Sequence, residues 1–112
     1  MKKALIICAA GMSSSMIARK VTEFFKEKDL PIELDATTVS NAPAIMDKGE
    51  FDLFLVSPQA KMSFEPLQRH AEKIGKPIQN IPPQSYIPTE DSIKSLAKQV
   101  FTEFKPALQK GG

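Results

Sequence analysis

The sequence contains few residues of several kinds, and each shortage excludes a class of protein. Cys8 is the only cysteine in 112 residues, so no disulfide can form within the chain and a reducing cytoplasm is the expected location. The formal net charge is only +2, from 15 basic and 13 acidic residues. Because nucleic-acid-binding proteins usually carry a clustered basic surface, we expect no nucleic-acid partner.

The sequence also has no long apolar run. The apolar run at residues 4–10 is much shorter than the roughly 20 residues of a membrane span. It lies at the lower limit of the about 7–15 residues of a signal-peptide core, and it already includes Cys8. We therefore expect a soluble, intracellular protein that does not insert into the membrane.

The rest of the chain alternates between two patterns of apolar residues. Continuous or alternating apolar residues predict four strands, at residues 4–8, 32–38, 52–57 and 77–81. Helical spacing predicts four helices, from just after the Gly/Ser segment to about residue 28, at 42–48, at 63–74, and from 90 to Pro106. This order implies parallel strands joined by right-handed crossovers. The prediction is an α/β fold with a small, doubly wound, four-stranded parallel sheet flanked by helices, flavodoxin-like, in one domain at 1–107 with a flexible tail at 108–112.

The segment after the first strand, CAAGMSSSM, has the composition of an anion-binding loop. In doubly wound sheets, ligands bind beyond the carboxyl ends of the strands, where Cys8 lies. Free amides at the start of the following helix attract anions and favour the thiolate form of a cysteine. We therefore expect the Cys8 sulfur at the mouth of a ring of amide hydrogens, as a nucleophile that carries a phosphoryl group. The predicted phosphate-binding residues are Ala9, Ala10, Gly11, Met12, Ser13, Ser14 and Ser15.

A tyrosine-phosphatase loop differs from this one at a position that matters for hydrolysis. Its pattern, C-x5-R-S/T, has an arginine six residues after the cysteine, and Ser14 stands there in this chain. Without this arginine the phosphoryl group lacks a bidentate clamp in the transition state. The prediction is that the loop receives and passes on a phosphoryl group. Two alternatives remain open, a low-molecular-weight tyrosine-phosphatase-like thiolate hydrolase and a non-enzymatic flavodoxin-like module that binds a phosphate-bearing ligand.

Two stretches, ALIICAAGMSSSM at residues 4–16 and DLFLVSPQ at residues 52–59, carry a resemblance to a known family. They resemble the B component (enzyme IIB) of the lactose/cellobiose/chitobiose class of the bacterial sugar phosphotransferase system. ALIICAAGMSSSM is similar to the C-x-A-G-M-S-T-S pattern of that family, with Ser14 where threonine is common. DLFLVSPQ is similar to its third strand, which is followed by a small residue and Pro-Gln. One departure is that Tyr86 precedes Ile87, where the family often has Tyr-Gly.

The resemblance implies a cytoplasmic phosphocarrier. Cys8 would accept a phosphoryl group from a phosphohistidine of the A component and transfer it to a β-glucoside-type sugar (cellobiose, lactose or chitobiose class). Uptake of that sugar would occur through the membrane C component. No cofactor and no metal are expected, and a carrier that docks with two proteins in turn is expected to be a monomer.

Three further side chains are candidates for lesser roles. Gln59 follows the third strand at the same edge as Cys8 and is a candidate to support the loop through a hydrogen bond. Arg19, one turn into the first helix, is a candidate source of positive potential. His70 lies in the middle of a predicted helix with no metal-ligating neighbour in the sequence, so we interpret it as a packed or solvated residue.

Overall fold

The computed structural model describes residues 2–9 and 12–111, with side chains for residues 2–9 and 14–106. All four predicted strands and all four predicted helices are present, in the predicted order. The elements are β1 (Lys2–Cys8), α1 (Met12–Glu27), β2 (Ile32–Thr38), α2 (Ala42–Asp47), β3 (Leu53–Val56), α3 (Phe64–Lys73), β4 (Ile78–Asn80) and α4 (Glu90–Gly111), with short 3₁₀ turns at Pro58–Ser63 and Pro83–Ser85.

The strands form one parallel sheet in the order β2-β1-β3-β4. Side chains alternate across it, as strand geometry requires, and each face is covered by helices. Ala4 and Ile6 belong to the core under α1 and α4, whereas Leu5 and Ile7 belong to the core under α2 and α3. The predicted four-stranded, doubly wound α/β fold is confirmed.

The ends of several helices follow from local backbone chemistry. Gly49 and Gly75 have φ angles of +72° and +70°, the left-handed conformation in which glycine commonly terminates a helix, and they follow α2 and α3. At the start of α4, the Thr89 hydroxyl accepts a hydrogen bond from the Ser92 amide at 3.4 Å. This is N-cap geometry, and threonine is one of the residues that favour this position.

Two helix boundaries differ from the prediction. α1 begins at Met12, so the serines at 13–15 lie in its first turn and not in the preceding loop. α4 continues through Pro106 to Gly111, where the sequence predicts an end near the proline. Proline removes the hydrogen bond to the Thr102 carbonyl and its ring crowds that carbonyl, but Thr102 is exposed and water can reach it. The domain limits of 1–107 and the flexible tail at 108–112 stay predictions.

The strand order places a topological switch between β1 and β3. The helix that follows β1 packs on one face of the sheet and the helix that follows β3 packs on the other, since Ile17 belongs to the first core and Leu67 to the second. Doubly wound sheets bind ligands in the crevice at this switch, beyond the carboxyl ends of the strands. Cys8 ends β1, and Ser57 directly follows β3. Within the described part of the chain, no helix is long and apolar enough to span a membrane.

Candidate active site

The Cys8 sulfur has two hydrogen-bonding neighbours at the carboxyl edge of the sheet. Its Sγ lies 3.3 Å from the Thr37 carbonyl oxygen and 2.9 Å from the Ser14 Oγ. A carbonyl can only accept, so the thiol proton points to Thr37 and the Ser14 hydroxyl donates to the sulfur. One strand neighbour and the first turn of α1 therefore hold the sulfur in a fixed position.

The sulfur is more enclosed than the sequence analysis predicts. Cys8 is only 3% exposed and Ser14 only 1%, whereas we expected the sulfur at the mouth of the loop. The reason is that the neighbouring strand β2 contributes the Thr37 carbonyl on one side while α1 begins early enough to bring Ser14 onto the other. A group as large as phosphoryl reaches this sulfur only after some of its neighbours separate.

This enclosure predicts slow reaction of the thiol with a bulky reagent. We expect 5,5′-dithiobis(2-nitrobenzoate) to modify Cys8 in the folded protein at least about tenfold more slowly than in denaturant, because a local opening that costs ~1.4 kcal/mol must come first. Absorbance of the released thionitrobenzoate measures both rates. Equal rates in the two conditions would contradict the enclosed position of the sulfur.

The predicted phosphate-binding segment is only partly covered by the description. Ala9 is exposed beside Cys8, while Ala10 and Gly11 lie outside the described residues. Met12 and Ser13 belong to the helical backbone of α1, and their side chains are likewise outside the description. Of the remaining two serines, Ser14 contacts the sulfur and Ser15 is exposed. Phosphate binding by residues 9–15 stays a prediction.

Tyr86, which the sequence analysis did not place in the site, also lies beside Ser14. It follows the 3₁₀ turn after β4 and packs against the core under α1 and α4. Burial raises the pKa of the Tyr86 phenol, and negative charge on Cys8 raises it further, against the opposing effects of the nearby Ser14 and Ser57 side chains. The net shift is upward, so the phenol is protonated and available as a donor at neutral pH.

Ser57 is the second residue that the sequence analysis missed. Its side chain is 0% exposed and its amide donates to the Ile7 carbonyl at 2.9 Å, so it is paired with β1 beside Cys8. Its Oγ lies close enough to Tyr86 to affect the pKa of that residue. It nevertheless forms no hydrogen bond with any described group. We therefore regard the contact between the two hydroxyls as a long polar contact and the Ser57 Oγ as unsatisfied.

The other candidate side chains lie apart from the sulfur or have ordinary partners. Gln59 is exposed in the turn after β3, and its predicted support of the loop stays a prediction. Arg19 is exposed and lies 4.0 Å from Glu23. His70 Nε2 lies 2.7 Å from an Asp47 carboxylate oxygen, which agrees with the packed interpretation. Among the described residues, no three His, Cys, Asp or Glu side chains come together as a metal site requires.

The fold and the site together define a class of protein. A parallel sheet in the order β2-β1-β3-β4, with a thiol at its switch point and a serine of the next helix on that thiol, is a flavodoxin-like α/β domain with a cysteine at its ligand-binding edge. A family described as "PTS system, Lactose/Cellobiose specific IIB subunit" matches residues 3–98. The chain belongs to this family of phosphotransferase-system components, as its resemblance implied.

Individual relatives agree with the family assignment. The oligo-beta-mannoside-specific EIIB component of the PTS system of Bacillus subtilis (strain 168) is 28% identical over 86 residues, which are 77% of this chain and 82% of that protein. The cellobiose-specific phosphotransferase IIB component of Borrelia burgdorferi superposes with a TM-score of 0.60 at 25% identity, covering 90% of this chain and 85% of that one.

A third comparison concerns the fold alone. The lactose-specific IIB component domain of Streptococcus pneumoniae has a TM-score of 0.76 at 24% identity, with 91% of this chain and 95% of that chain covered. The flavodoxin-like architecture predicted from the sequence is therefore confirmed.

Proposed function

We propose that this chain is the cytoplasmic phosphocarrier of a sugar phosphotransferase system. Cys8 accepts a phosphoryl group from a phosphohistidine of the A component and transfers it to a β-glucoside-type sugar of the cellobiose, lactose or chitobiose class during uptake by the membrane C component. The observation that carries this proposal is the position of the only cysteine, at the β1–β3 switch point with a hydrogen bond from Ser14 at 2.9 Å.

Both transfers balance without a cofactor. In the first, a sulfur–phosphorus bond forms as the phosphorus–nitrogen bond of the phosphohistidine breaks, and the thiol proton ends on the histidine. In the second, a sugar hydroxyl oxygen bonds to phosphorus, the sulfur–phosphorus bond breaks, and the hydroxyl proton replaces the one that Cys8 lost. The Ser14 hydroxyl assists both because it donates to the sulfur when the sulfur is negatively charged.

The start of α1 supplies a second form of support for the phosphoryl group. α1 follows β1, so its first turn, from Met12, lies at the same sheet edge as Cys8. The first amides of a helix have no partner within the helix, and the helix dipole favours negative charge there. We propose that backbone and hydroxyl groups of residues 9–15 bind the phosphoryl oxygens.

Three exposed apolar side chains are available for contacts with the two partner proteins. Met16, Met62 and Ile87 are the large apolar residues that the described structure exposes, and they lie in the segments that follow β1, β3 and β4 along the chain. Met62 is 97% exposed. Alternate docking of the A and C components around Cys8 requires modest, transient contacts, which suit a monomeric carrier.

The burial of Cys8 favours one alternative, a module that binds a phosphate-bearing ligand without using the sulfur. A tracer experiment separates the functions: label is followed from phosphoenolpyruvate through the general components and the A protein into this chain, with membranes that contain the C component. The carrier predicts label in sugar phosphate. A thiolate hydrolase predicts inorganic phosphate whether or not sugar is present, and a binding module predicts no covalent label in the chain.

The Ser14→Ala variant tests the hydrogen bond to the sulfur. We expect phosphoryl acceptance by Cys8 to slow by about 10-fold or more, since a hydrogen bond to a charged group contributes ~1.5–3 kcal/mol. Rapid-quench kinetics with phosphorylated A protein measure the rate. Ser92→Ala is the matched control, because Ser92 is also a buried serine at the third position of a helix, and its hydroxyl donates to the Gln84 carbonyl at 2.6 Å. Equal rates in both variants would contradict a role for Ser14.

A further inference from the structure

The unsatisfied Ser57 hydroxyl points to a ligand at the switch point. Among the buried side-chain nitrogen and oxygen atoms that the structure describes, its Oγ is the one that lacks a hydrogen-bond partner. Proteins rarely leave such a group unpaired, because burial removes its hydrogen bonds to water and no protein group replaces them. A bound ligand that accepts a hydrogen bond from the Ser57 hydroxyl would therefore be stabilised at this position.

The strand register places this hydroxyl on the Cys8 side of the sheet. Ile7 is paired with Val56, so Ser57 is the next residue opposite Cys8. Leu55, two residues before Ser57, belongs to the core under α1 and α4, and side chains two apart in a strand share a face. Ser57 thus faces the same helices as the sulfur, which Ser14 of α1 contacts.

Tyr86 is the third residue beside Cys8, after Ser14 and Ser57. Its hydroxyl lies near the side chains of Ser14 and Ser57, and negative charge on Cys8 raises its pKa. A sulfur and three hydroxyls therefore converge from the ends of β1 and β3, from α1 and from the segment after β4. A phosphoryl group has three strongly accepting oxygens, and such a cluster of neutral donors matches it.

We infer that the hydroxyls of Ser57 and Tyr86 bind the phosphoryl group on Cys8, with Ser57 donating the hydrogen bond that it lacks in the unphosphorylated protein. This inference rests on the proposed function of Cys8. A donor that gains its partner only in the phosphorylated state stabilises that state selectively. The two residues therefore shift the equilibrium of phosphoryl exchange from the A component towards this chain.

Two measurements on Ser57→Ala and Tyr86→Phe test the inference. Exchange with phosphorylated A protein, read by the mass of each protein at equilibrium, is expected to shift about 10-fold or more towards the A protein in each variant. The thermal midpoint of unphosphorylated Ser57→Ala is expected to be unchanged or raised, because the substitution removes an unsatisfied buried hydroxyl. A merely structural serine would instead lower it.

Thr22→Val is the matched control for loss of a hydroxyl. The Thr22 Oγ1 donates to the Ala18 carbonyl and accepts from the Leu34 amide at 2.8 Å, so it joins α1 to β2. This variant is expected to have a lower thermal midpoint and an unchanged exchange equilibrium. If the wild type accepts phosphate and both site variants exchange within twofold of it, the inference is wrong while the carrier function stands. If the wild type accepts no phosphate, the proposed function itself fails.

Discussion

The Cys8→Ser variant is expected to lose phosphoryl transfer to sugar by at least about a thousandfold. A serine hydroxyl is a far weaker nucleophile than a thiolate, and removal of a covalent nucleophile commonly costs several orders of magnitude. The measurement is sugar phosphate formed per minute in the complete reconstituted system.

The fold of this variant is expected to persist. A serine hydroxyl retains both polar contacts of the thiol, with the Thr37 carbonyl and with Ser14, so no buried group loses its partner. Thermal unfolding monitored by circular dichroism supplies the control. Transfer at near wild-type rate by a folded Cys8→Ser protein would contradict the carrier mechanism.

The Phe54→Ala variant is expected to lose about 3–5 kcal/mol of unfolding free energy. Phe54 is fully buried in the middle of β3, in the core under α2 and α3, and truncation leaves a cavity in a four-stranded sheet. Domains of this kind are stable by only about 5–15 kcal/mol, so the variant would be partly unfolded at modest denaturant concentration. Urea denaturation followed by circular dichroism measures the change.

Phe101→Ala is the comparison for this prediction. Phe101 is half-buried and packs at the margin of the other core, so the same truncation removes less buried surface there. We expect its loss of unfolding free energy to be less than half that of Phe54→Ala. Similar losses in the two variants would contradict the central position of Phe54 in the fold.

The sequence was sufficient to predict the fold because its local signals agree with one another. The apolar run of β3 is short and bounded by polar residues, as buried parallel strands are, and Gly49 and Gly75 mark helix ends. The boundary of α1 was harder to predict, since a serine run suits both a loop and a first helical turn. The extent of α4 past Pro106 was missed because proline usually ends a helix.

The candidate site could be predicted from the sequence only where its residues are close in the chain. Cys8 and Ser14 are six residues apart and meet in the structure, and both belong to the segment that the sequence singles out as the site. Ser57 and Tyr86 come from distant segments, and only the strand order brings them to Cys8. Ser57 did offer one signal, since it directly follows a buried strand at the same edge. The enclosure of the sulfur depends on the Thr37 carbonyl, a backbone atom that no sequence pattern identifies.

The attachment of phosphate to the Cys8 sulfur is the central claim. Its most direct test is intact and fragment mass spectrometry of the chain after incubation with phosphoenolpyruvate, the general phosphotransferase components and the A protein. We predict the gain of one phosphate, located on the fragment that contains Cys8 and absent from the Cys8→Ser protein. A phosphate found on His70 or on a serine instead, or no gain at all, would contradict the account.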